Sequence, residues 1–71
     1  MILPRDVRRT LALSAAGLNT AEVAERLGLD PDTVRRHVEQ AKLALGATSK
    51  LEAVVRALRL GLIAAPPPER P

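Results

Sequence analysis

The chain has 71 residues, room for one small domain that can bury only a modest surface. It holds no cysteine, one histidine and no Phe, Tyr or Trp, which excludes disulfides, thiolate chemistry, a Cys-based zinc site and base stacking on aromatic rings. Eleven Lys and Arg against eight Asp and Glu leave a net charge of +3, which favours an anionic partner, and without stacking residues double-stranded DNA is the expected nucleic acid.

A first helix is expected from Pro4 to Ala16, with Val7, Leu11, Ala15 and then Leu18 as its inward stripe, diluted by Thr10 and Ser14. Arg8 and Arg9 project outward, and Gly17 is placed to end the helix. Asn19 stands three residues before Glu22, the spacing of a capping box, so a second helix should start near Thr20. Val23, Ala24 and Leu27 share one of its faces, and Gly28 supplies a left-handed stop.

Three start signals then agree on a third helix: Asp30 as cap, Pro31 at the first position and Asp32 beside the positive end of the dipole. Val34, Val38, Ala41 and Leu45 recur at i, i+4, i+7 and i+11 as one apolar stripe. The opposite face carries Asp32, Arg36, Glu39 and Leu43, flanked by Arg35 and Gln40. Two short capped helices joined by one tight turn have the layout of a helix-turn-helix, and the third helix, apolar on one side and polar on the other, has the form of a recognition helix. Gly46 ends it.

Ser49 with Glu52 reads as another capping box, opening a fourth helix from about Lys50 to Ile63. Its expected inner stripe is Leu51, Val54, Val55, Leu58 and Leu62, with Ala53, Ala57 and Leu60 as a second, weaker apolar line on the far side. Two apolar faces on one helix imply two partners. Residues 65–71 hold four prolines and should be disordered or extended. The longest apolar run, Leu58 to Ala65, is broken by Arg59 and falls short of the roughly 20 residues of a membrane span, and the N-terminus lacks the apolar region of a secretory signal. The expected protein is soluble and cytoplasmic, with no membrane contact.

The stretch from Gly17 to Ile63, with Ala24, Leu27 and Gly28, then Thr33 to Val38 reading TVRRHV, then Leu45-Gly46 and the RLGLI ending at Ile63, resembles the LuxR-type (GerE-type) helix-turn-helix of bacterial transcriptional regulators. The resemblance covers Leu3 to Ile63. It implies an all-α, four-helix domain over 3–64 that binds DNA through its third helix and dimerises through its fourth. This chain departs from the family pattern at Leu3-Pro4-Arg5-Asp6-Val7, at Ala21 where relatives often carry Lys, at Glu39, and in the order of Lys42 and Leu43.

Arg35 and Arg36 are the leading candidates for base-edge or phosphate contacts, because a guanidinium fork pairs with guanine or with phosphate. Glu39 can accept from a cytosine amino group or repel phosphates, and Gln40 completes the set for discrimination. Thr33 combines a hydroxyl with free first-turn amides for a phosphate, or else completes the Asp30 cap. Thr20, Lys42 and Lys50 are candidate backbone contacts. His37, beside the apolar stripe, is expected in a structural hydrogen bond, with a phosphate contact second. Ala53, Ala57 and Leu60 are the expected homodimer face. No metal, cofactor, small-molecule ligand or catalytic group is expected, since paired carboxylates in an apolar pocket and a phosphate-cradling loop are both missing. RNA polymerase is a candidate further partner. A related variant is a domain like region four of a sigma factor, which works bound to polymerase, with the RLGLI match favouring the LuxR type. The competing function is an adaptor whose helix-turn-helix meets protein rather than DNA.

Overall fold

A computed structural model describes residues 3–64 and forms four α-helices: α1 Arg5–Ala15, α2 Thr20–Leu27, α3 Pro31–Leu45 and α4 Lys50–Arg59. Among the described residues there is no strand, and the fold is all-α as expected. The expected disordered tail, 65–71, lies outside the described residues.

Local chemistry sets most of the helix ends. Asn19 and Glu22 close a complete capping box, with the Glu22 amide donating to Asn19 Oδ1 and the Asn19 amide to Glu22 Oε1, each at 2.9 Å. At Ser49 the box is only half formed. The Glu52 amide donates to Ser49 Oγ at 3.0 Å, but the Glu52 carboxylate accepts from the Thr48 amide at 2.8 Å rather than from Ser49. α1 is the exception, because its cap residue is Pro4 and no side chain bonds its first amides.

Between α2 and α3 the chain reverses through Gly28 at φ 69°, ψ 32°, where a Cβ would cost roughly 1–2 kcal/mol. The Leu29 amide donates to the Ala24 carbonyl at 2.9 Å and the Gly28 amide to Glu25 at 3.3 Å, a pair of bonds that uses up carbonyls the helix end leaves free. These bonds and the left-handed Gly28 set the direction in which the chain leaves α2 for α3.

α1 and α3 each pack against all the other helices, whereas α2 and α4 do not touch. Two apolar clusters result. Leu3, Val7, Leu11, Ala41, Leu45, Ala53, Val54, Ala57 and Ile63 join α1, α3 and α4. Val23, Ala24 and Val34 seat α2 on the start of α3, walled by Leu13, Leu18, Leu27 and Leu29.

The orientation and length of α4 correct the sequence reading. Ala53 and Ala57 are fully buried, while Leu51 is 73% exposed and Val55 also reaches solvent. The expected inner stripe and the expected dimer line are thus partly exchanged: Ala53 and Ala57 cannot meet a partner. Their small side chains let α4 approach α1 and α3 closely beside the buried Val54, and Leu51 and Val55 are turned away. The helix also stops at Arg59 instead of Ile63, because Gly61 at φ 73° ends it with the Leu62 amide on the Ala57 carbonyl at 2.9 Å. Ile63 folds back into the core. In α1, Thr10 does not dilute the inward stripe but lies fully buried within it.

Candidate nucleic-acid interface

The outward face of α3 follows from its inward one. Val34, Ala41 and Leu45 are buried against the other helices, so at 100° per residue Asp32, Arg36, Glu39 and Leu43 point the opposite way, and all four are exposed. Arg35 and Gln40 are exposed on the flanks of this face, and Leu43 is 85% exposed, a large apolar group in a polar surface.

Each basic side chain of α3 is held by a group three residues earlier. Arg35 Nη1 sits 2.6 Å from Asp32 Oδ1, Arg36 Nη2 donates to Thr33 Oγ1 at 3.1 Å, and Lys42 Nζ donates to Glu39 Oε2 at 2.8 Å. Thr33 in turn gives its hydroxyl proton to Asp30 Oδ2 at 3.0 Å and its amide to Asp30 Oδ1 at 2.9 Å. These two bonds from Thr33 hold the Asp30 carboxyl below the ordinary aspartate range, with Arg36 a smaller contributor. A chain Arg36–Thr33–Asp30 therefore runs along the first turn of α3. Thr33 completes the cap, as one of its two expected roles required.

His37 does not share the outward face. It is half-buried on the α1 side, with Nδ1 3.3 Å from Oγ1 of the buried Thr10, the structural contact expected for it. Thr20 is the half-buried first residue of α2, and Lys50 is the exposed first residue of α4. The fold thus gathers Arg35, Arg36, Glu39 and Gln40 on one face, keeps Lys42 at its edge and turns His37 toward α1, while Thr20 and Lys50 open two other helices.

Arg56 escaped the sequence reading. Its Nη1 donates to the Leu45 carbonyl at 3.0 Å, tying α4 to the C-terminal end of α3 beside Gly46. Only the long-range packing shows this role, since its local signal is the i, i+4 partner Glu52. Among the described residues no three His, Cys, Asp or Glu side chains are grouped to hold a metal, and no helix is long and apolar enough to cross a membrane.

A capped α2, a glycine reversal and an α3 with a polar outward face define a helix-turn-helix domain of the kind found in transcription regulators. Comparison with known proteins agrees. The family model described as Sigma-70, region 4 matches residues 2–45, which takes in α1 to α3. The spore germination protein GerE of Bacillus subtilis is 33% identical over 60 residues, covering 84% of this chain and 81% of GerE. The transcriptional activator protein SolR is 38% identical over 56 residues in Ralstonia nicotianae and 36% over 62 residues in Ralstonia solanacearum. This chain spans about a quarter of the length of the SolR proteins, 24% and 26%. The solved structure of the transcription factor GerE superposes with a TM-score of 0.86 at 25% identity, covering 90% of this chain and 96% of GerE. The chain belongs to the sigma-70 region 4 family of helix-turn-helix domains and, by its likeness to GerE and SolR, to the LuxR-type (GerE-type) regulators.

Proposed function

We propose that this chain is a domain, 3–64, that reads double-stranded DNA by laying α3 in the major groove, and that it regulates transcription in the cytoplasm without catalysing a reaction. The observation that carries this reading is the outward face of α3, where Arg35, Arg36, Glu39 and Gln40 stand exposed on a helix whose other side is anchored in the core. Arg35 and Arg36 present forks to guanine or phosphate, Glu39 to a cytosine amino group, and Gln40 to adenine. Thr20, Lys42 and Lys50 supply the surrounding backbone contacts, which give most of the affinity and set the register, while His37 and Thr33 keep the structural roles their hydrogen bonds give them.

The partner copy docks on α4. The face that supports this is Leu51 with Val55, adjacent at i, i+4 and exposed, and not the buried Ala53 and Ala57; Leu60 is 60% exposed but lies on the other side of the helix from Leu51. A two-fold dimer requires an inverted-repeat operator. RNA polymerase is the further partner that regulation of transcription calls for.

Selection from random duplex at about 150 mM salt tests the reading. A two-fold symmetric motif supports it. Arg36→Ala should then cost about 1–3 kcal/mol and relax one position of the motif, whereas an equal loss on every sequence would make Arg36 a phosphate contact. The adaptor reading draws support from the charge of the α2–α3 unit, where Glu22, Glu25, Asp30, Asp32 and Glu39 outnumber Arg26, Arg35, Arg36 and Lys42 by one. Absence of any enriched motif, with only weak binding that vanishes as salt rises, would favour it.

A further inference from the structure

The positive charge of this chain is not on its helix-turn-helix. Residues 19–45 carry one more acid than base, while α1 sets Arg5, Arg8 and Arg9 against Asp6, and α4 sets Lys50, Arg56 and Arg59 against Glu52. Arg5 and Arg9 lie on the side of α1 opposite the buried Val7, Thr10 and Leu11, Arg8 lies on the flank beside them, and Thr10 touches His37 on α3. The arginine face is turned away from the Thr10–His37 contact by which α1 meets α3.

Nothing in the stability of α1 explains the cluster. Arg5 repels Arg8 and Arg9 at i, i+3 and i, i+4 spacing. All three stand in the first turns of the helix, where the dipole disfavours cations and the Pro4 cap offers no side-chain acceptor. Among the described residues the one ion pair on this face is Arg9 with Asp6, at 3.7 Å. The arginines rim a shallow depression floored by half-buried Ala12 and Leu62 and by Ile63. A ring of guanidinium groups around an apolar floor matches carboxylates flanking an apolar side chain. Phosphodiester backbone offers the charge without the apolar group.

We propose that the α1 face, Arg5, Arg8 and Arg9 with Ala12, Leu62 and Ile63, docks an acidic, leucine-bearing segment of another protein, independently of the DNA face.

The probe is a fluorescein-labelled helical peptide with Glu at i, i+4 spacing around a central Leu, titrated into the whole 71-residue chain. Amide NMR shifts in the unaltered protein should move at residues 5–12 and 62–63 and stay still along the outward face of α3. Arg5→Gln/Arg8→Gln/Arg9→Gln, which keeps helix propensity, should weaken the peptide about tenfold and leave duplex DNA binding within about twofold. A peptide with Ser in place of Leu should bind more weakly than its parent. Shifts centred on α3, no peptide binding, equal binding of the Leu-free peptide, or loss of DNA binding in step with the peptide would each overturn the proposal. The last result would make these arginines phosphate contacts. Because the NMR readout uses no DNA, it stands apart from the success or failure of the DNA-binding reading.

Discussion

Asp32→Asn should make this chain bind random DNA more tightly at some expense in stability. Asp32 and Arg35 form an ion pair of 2.6 Å, but the side chains are 87% and 63% exposed, so water screens it and its worth is about 0.2–1 kcal/mol. Loss of negative charge in the first turn of α3 costs about 0.3–1 kcal/mol more. Together they amount to about 0.5–2 kcal/mol, a fall in melting temperature of roughly 2–16 °C in a domain of this size at about 4–8 °C per kcal/mol. On the DNA side the substitution removes a negative charge from the outward face of α3 and frees the Arg35 fork. One additional phosphate neutralised steepens the slope of log K against log salt by about 0.9, which at about 0.15 M corresponds to roughly fivefold tighter non-specific binding. The assay is fluorescence anisotropy on a random duplex across a salt series. Gln at position 35 in the same background should shrink the gain to that of lost repulsion alone. An unchanged slope, or weaker binding of Asp32→Asn, would refute the idea that Asp32 restrains Arg35 in the free protein.

The depressed Asp30 carboxyl gives a pH signature. Because its folded value lies below its unfolded one, the stability it contributes is complete above the unfolded value and drains away as pH falls through the folded value. Thermal melts should therefore be flat with respect to this group from pH 7 to about 5 and decline below about 4, and Asp30→Asn should soften the decline. Gly28→Ala meets open space but is forced to positive φ, so urea unfolding should show a loss of about 1–2 kcal/mol with an unchanged m-value. Leu51→Glu should leave the monomer folded and abolish self-association in sedimentation experiments. Ala53→Glu, at a fully buried position, should unfold the domain instead.

Most helix boundaries could be read from the chain because their causes are local. The cap at Asn19, the Asp30–Pro31 start and the Gly28 and Gly46 stops each act across three to five residues, and the structure places α2 and α3 at those boundaries. The outward face of α3 was legible for a similar reason: a single apolar stripe leaves only one direction for Arg36 and Glu39. α4 was not legible. It carries two apolar lines, and periodicity alone gives no rule for choosing between Ala53–Ala57 and Leu51–Val55.

Sequence alone therefore determined that there are four helices and where each begins, the turn between α2 and α3, and the polar set on the outward face of α3, since all of these depend on neighbours along the chain. Tertiary structure decided which side of α4 enters the core, because that depends on how closely α1 and α3 approach and hence on where a methyl group fits and an isobutyl group does not. It also decided that Thr10 reaches His37 across 27 residues, and that Arg56 ties down the end of α3. Contacts between residues so far apart in sequence exist only once the helices have packed.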